Sequence, residues 1–71
     1  MSNLAEELPK EQARVRAIRD QYIECRGMPQ VNVEPAIAMM DASLRYAEEA
    51  AAAGDIVKML MALENLKTYE G

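Results

Sequence analysis

Ala50-Ala51-Ala52-Ala53-Gly54-Asp55-Ile56-Val57-Lys58 contains the sharpest break in the chain. Four alanines propagate a helix with no side-chain entropy to lose. Gly54 then supplies the left-handed residue that ends it. The Asp55 carboxylate is placed to accept the free amides of a new first turn. A break this short forces the two helices to run back antiparallel, as an αα-hairpin. The expected fold class is all-α.

Upstream of the break, the pattern predicts a helix over residues 33–53. Asn32 suits its N-cap, Glu34 the positive end of its dipole, and Pro35 its first turn. Ile37, Met40, Leu44, Ala47 and Ala51 form one apolar stripe, and Ala36, Met39, Tyr46 and Ala50 an adjacent one broken by Ser43. Downstream, residues 56–69 read as a third helix. Ile56, Met59, Leu60, Leu63 and Leu66 are expected inward, with Val57 and Met61 on a second apolar flank. The remaining helix spans about 8–26. Leu4, Leu8, Val15, Ile18, Tyr22 and Cys25 keep one face at helical spacing, interrupted by Glu11. Pro9 is tolerated in a first turn and sets the expected start. Gly27 and Pro29 end the segment. The first helix is therefore expected to pack on the C-terminal hairpin in a single domain of residues 1–71.

Size sharpens the question of what covers these stripes. Seventy-one residues cap the chain at one domain. Area scaling puts the folded surface of such a chain near ~4,400 Å². Burial at that size only about balances conformational entropy, so a staple, a metal or a partner is expected. Cys25 is the only cysteine and there is no histidine. An intrachain disulfide is excluded, and no metal or cofactor is expected. Pairing with itself, as a homodimer, is the cheapest remedy. The longest apolar run falls short of a membrane span, and Met1-Ser2-Asn3-Leu4-Ala5-Glu6-Glu7 is too polar and acidic for a signal peptide, so a cytoplasmic protein is expected. A net charge of −4 argues against general nucleic-acid or anionic-membrane affinity.

Several side-chain groups invite a chemical function. Cys25 beside Arg26 could be a reactive thiol, but it continues the Val15–Ile18–Tyr22 stripe and reads better as a small buried hydrophobe. Arg14, Arg16, Arg19 and Arg26, with Lys10, suggest a DNA-contacting helix. Residues 1–27 also carry Glu6, Glu7, Glu11, Asp20 and Glu24, so a mixed solvated face or the rim of a protein interface fits better. Carboxylates at Asp41, Glu48, Glu49, Asp55 and Glu64 lack the histidine partners of a bundle metal centre, and so small a domain has little interior in which to shift a carboxylate pKa. No enzymatic activity is expected. The methionines are more informative, because methionine is over-used on adaptable binding surfaces. Met39, Met40, Tyr46, Val57, Met59 and Met61 are the expected partner or dimer interface.

Tyr46-Ala-Glu-Glu-Ala-Ala-Ala-Ala-Gly54-Asp55-Ile-Val-Lys-Met59-Leu-Met-Ala62-Leu-Glu-Asn-Leu66-Lys67 resembles small hypothetical proteins common in bacteriophages and prophages, over roughly residues 44–70. Size and hairpin architecture also look like the phage-encoded quorum-sensing anti-activators of Pseudomonas phages. That resemblance implies a small helical dimer that binds a LuxR-type transcription factor and blocks it sterically, or disables a type IV pilus ATPase. It carries over no individual contact residue. The expected function is thus a non-catalytic inhibitor of a host protein. A small DNA-binding regulator using the first-helix arginines, or a phage assembly factor, is the alternative.

Overall fold

A computed structural model describes residues 3–70. Three helices follow one another: α1 (Leu4–Glu24), α2 (Glu34–Ala53) and α3 (Ile56–Lys67). Each packs on the other two, in a body measuring 42 × 22 × 16 Å. The first helix lies on the α2–α3 hairpin, as the apolar spacing implied.

Local chemistry explains each terminus. Asn3 caps α1, its side-chain oxygen accepting the Glu6 amide at 3.1 Å, and Glu6 and Glu7 favour the positive end. The helix therefore starts before Pro9, which sits inside it. Pro9 deprives only the carbonyl of Ala5 of a partner, and both residues are exposed, so water can satisfy it. After the Cys25 cap, Gly27 (φ 85°) turns the chain. Met28–Val31 closes a tight turn, with the Val31 amide donating to the Met28 carbonyl at 3.3 Å and Gln30 held at φ 69°. Arg26 forks onto both carboxylate oxygens of Glu34 and ties the two ends of this connection together. Asn32 is not the N-cap of α2. Val33 occupies that position without a side-chain bond, while Asn32 accepts the Glu34 amide at 3.3 Å from one residue further out.

The hinge matches its sequence. Gly54 adopts φ 67°, its amide bonded to the Ala51 carbonyl, and Asp55 accepts the Lys58 amide at 3.1 Å. The core between the helices contains Leu8, Val15, Ile18, Met40, Leu44, Ala47, Ala62, Leu63 and Leu66. Two stripes depart from expectation. Beside the hinge, the neighbour of α2 is α3, so the buried face rotates to Ala50 and Ala51 is exposed. On α3 the inward face centres on Ala62, Leu63 and Leu66. Leu60 lies about 120° around the helix from Leu66. Leu60 and Ile56, both expected inward, accordingly stand 50% and 59% exposed. Cys25 is partly covered rather than buried.

α3 ends at Lys67, two residues short of the expected limit, and its C-terminus is held by α1. Arg14 donates to the carbonyls of Leu66 at 2.9 Å and Tyr69 at 2.7 Å, while Glu11 orients the guanidinium at 2.6 Å. A cation here satisfies carbonyls at the negative end of the helix dipole. Tyr69 packs against the core, and its hydroxyl meets the Ser43 hydroxyl at 2.8 Å.

Two stability measurements check this account. A Cβ on Gly54 would meet no atom within 4 Å. Gly54→Ala is therefore expected to cost about 1 kcal/mol in urea unfolding, all of it from the left-handed backbone. Arg14→Ala should cost about 1–2 kcal/mol, and Arg14→Lys most of that, because an ammonium lacks the fork that reaches two carbonyls. A lysine variant as stable as the parent would show that the fork is dispensable.

Candidate protein-binding surface

The α2–α3 hairpin is covered by α1 on one side only. On its outer side, α3 presents Ile56, Val57, Leu60 and Met61, spaced so that Ile56–Leu60 and Val57–Met61 are successive-turn neighbours. Val57 and Met61 are 66% and 59% exposed. Between the helices lies a shallow groove of about 370 Å³, lined by Ala42, Ser43 and Tyr46 from α2 and Met61 and Asn65 from α3. Met39, 62% exposed, continues the Ser43–Tyr46 line one turn further along α2. The result is an apolar strip running across two helices. Isolated exposed hydrophobes are ordinary, but a contiguous patch on a small protein marks a place where something binds.

The six residues expected at an interface separate into three groups. Met39, Val57 and Met61 lie on the outer surface. Tyr46 and Met59 are half-buried at its inner edge, packed against the core. Met40 is a correction: at 1% exposure it is one of the four largest fully enclosed side chains and has no surface to offer. The strict 3-and-4 spacing from Ile37 through Leu44 already placed it inward. Ile56 and Leu60 are the additions, hidden in the sequence because a leucine or isoleucine in helical register reads as core. A second apolar group, Ile23, Met28 and Val31, surrounds the α1–α2 connection and is interrupted by the turn backbone.

The arginines of α1 are directed at partners in the same chain. Arg16 reaches Glu48 at 3.1 Å and Arg19 reaches Asp41 at 3.0 Å, so both ion pairs join α1 to α2. Asp41 raises the Arg19 pKa further above the ordinary value, against the smaller opposing effect of burial. Arg14 and Arg26 are engaged as described above. These are rim contacts between helices, worth little individually in stability, but they turn the basic side chains away from a free, uniformly positive face. The described residues contain no cluster of three or more metal-ligating side chains. Ser43 is the one aliphatic hydroxyl lining the groove, and its hydrogen-bond partner is another hydroxyl, that of Tyr69, rather than a base that would activate it. No helix among the described residues is long and apolar enough to cross a membrane.

Compared with known proteins, the chain matches no family model, and no curated protein or solved structure is significantly similar to it.

The two adjacent methionines of α2 give a direct check on the division between core and surface. Met40→Ala is expected to destabilise the chain by about 2–4 kcal/mol through the cavity it leaves. Met39→Ala should stay within about 0.5 kcal/mol of the parent. Equal losses in chemical denaturation would contradict the packing of α2.

Proposed function

We propose that this chain is a protein-binding module that acts by covering a surface on another protein, without chemistry of its own. The observation that carries this is the apolar strip formed by Val57, Leu60 and Met61 on α3 with Tyr46 and Met39 on α2, open to solvent along one side of the hairpin. Its composition supports a binding role. Unbranched methionines at the strip's edges adapt to an irregular surface, and Tyr46 offers a rigid ring beside them. A protein partner presents both the apolar face and the polar rim that such a strip matches.

The direction of the effect is inhibition of a host protein in the cytoplasm. A quorum-sensing transcription factor is the foremost target and a pilus ATPase the second. The resemblance of residues 44–70 to phage proteins, and of the hairpin to phage anti-activators, supports that choice. The DNA-contacting alternative is weakened by the ion pairs that occupy Arg14, Arg16, Arg19 and Arg26.

Affinity capture with the purified chain as bait tests the proposal. A host protein retained by the parent chain and by Ala17→Glu, on the outer side of α1, should be lost with Met61→Glu. Retention unaffected by Met61→Glu would remove the hairpin strip as the binding site. No protein retained at micromolar bait would count against the role itself.

A further inference from the structure

We infer that the corner between α1 and α2, residues 23–33, is a second recognition element, shaped to seat in an apolar depression on another protein whose rim carries lysine or arginine. It lies at the other end of α2 from Gly54, about 30 Å away. It is separate from the strip on α3 and holds whether or not that strip binds anything.

The two corners of the chain follow opposite rules. At the α2–α3 corner each local choice favours the fold: glycine takes the left-handed position and aspartate caps the next helix. The α1–α2 corner breaks the same rules three times. Gln30 is held at φ 69°, where a Cβ is strained and glycine would not be. At the other two left-handed positions, 27 and 54, the chain does use glycine. Val33 occupies the N-cap of α2 and makes no side-chain bond. Glu24 ends α1, where the terminal carbonyls are already negative, and that last turn contains no base. Gln30 and Glu24 are both exposed, so neither is kept for the packing of this chain. Local departures of this kind collect where a surface serves something outside the fold.

The side chains around the corner define its partner. Ile23, Met28 and Val31 stand 38%, 52% and 45% exposed there. Residues 27–33 contain no charge. Pro29 and the Arg26–Glu34 fork hold them in one shape before any contact is made. A convex, preformed apolar tip fits a depression rather than a flat face. The charges beside the tip set the rim. Arg26 cancels Glu34, and Arg19 is shared between Asp20 and Asp41. One carboxylate of that trio and Glu24 are left in excess, so the field around the tip is negative. Basic groups around the depression complement that field. The same charges repel an anionic membrane and a nucleic-acid backbone.

Two measurements on the full chain test the inference. Urea unfolding should move to a higher midpoint in Gln30→Gly and in Glu24→Lys, because each restores a local rule. No gain in either variant would overturn the premise that the corner is shaped for something outside the chain. The second measurement places p-benzoylphenylalanine, a photoreactive residue, at Met28 or, as an exposed control, at Ala17. In extract of the chain's own cells, the probe at 28 should crosslink to a protein, at a site that peptide mapping places among aliphatic residues with lysine or arginine beside them. Glu24→Lys should lower the yield at least about tenfold, and Met61→Glu should leave it unchanged. A yield at 28 no greater than at 17 would overturn the inference. So would a protein site without bases, a crosslink to lipid or nucleic acid, or a yield indifferent to Glu24→Lys. The two binding surfaces fail separately. A corner that crosslinks nothing, in a chain whose target is lost with Met61→Glu, refutes the corner alone. A corner that crosslinks as expected, in a chain indifferent to Met61→Glu, refutes the strip alone.

Discussion

Gly54 and Asp55 join a 20-residue helix to a 12-residue one, and the inequality of those lengths shapes everything around them. At 1.5 Å per residue, α2 is about 30 Å long and α3 about 18 Å. Because the hinge allows no slack, both helices start level at Gly54 and only the near part of α2 can be covered by α3. α1, one residue longer than α2, covers its other side as far as the last turn before the hinge, where Ala51 is exposed. The far end of α2 beyond the reach of α3 is where Met39 emerges, while Met40, one residue on, is sealed by α1 and the core. Tyr69, just past the end of α3, fills the step between the helices and bonds to Ser43. Arg14 then fixes that end from the side of α1. The short third helix thus has a defined start, set by Asp55, and a defined stop, set from another element.

A helix enclosed by two neighbours buries a wider arc than one lying against a single neighbour, but α3 sits at the edge of both. Its inward arc is filled by Ala62, Leu63 and Leu66, with Met59 closing the margin. Alanine at 62 permits close approach of α3 to its neighbours. That leaves the opposite arc carrying Ile56, Val57, Leu60 and Met61, more apolar than a solvated surface needs. Sequence composition alone cannot distinguish surplus from necessity here. The distinction depends on which arc faces the other helices, and that is decided jointly by Leu8, Val15 and Leu44 on the facing elements.

The sequence disclosed the three helices, their order and the hinge chemistry because each depends on local rules: a left-handed glycine, an aspartate cap, apolar residues at helical spacing. It was less informative wherever a non-local contact decides. The start of α1 was obscured because Pro9 reads as an opening residue, although Asn3, followed three places later by Glu6, was a visible capping signal. Ala50 in place of Ala51, and Ala62 in place of Leu60, depend on the angle at which α3 meets its neighbours. At the surface, the strip was only partly legible. Val57, Met61 and Met39 stood off the main stripes, whereas Ile56 and Leu60 were masked by their own hydrophobicity. The arginines were readable as a mixed rim, but their matching with Glu48, Asp41 and Glu34 required the fold.

That matching also governs how the molecule meets others at a distance. Four guanidinium groups are turned to acceptors along the junctions between α1 and the hairpin, and several carboxylates, among them Glu6, Glu24, Glu49, Glu64 and Glu70, remain outward. The far field is therefore negative while the contact strip is greasy, so approach and adhesion are selected by different properties. Basic partners would be drawn in quickly whether or not they fit, whereas residence would depend on oily shape alone. Any partner that is itself acidic is held off at long range, so added electrolyte, which screens that repulsion, would hasten its arrival.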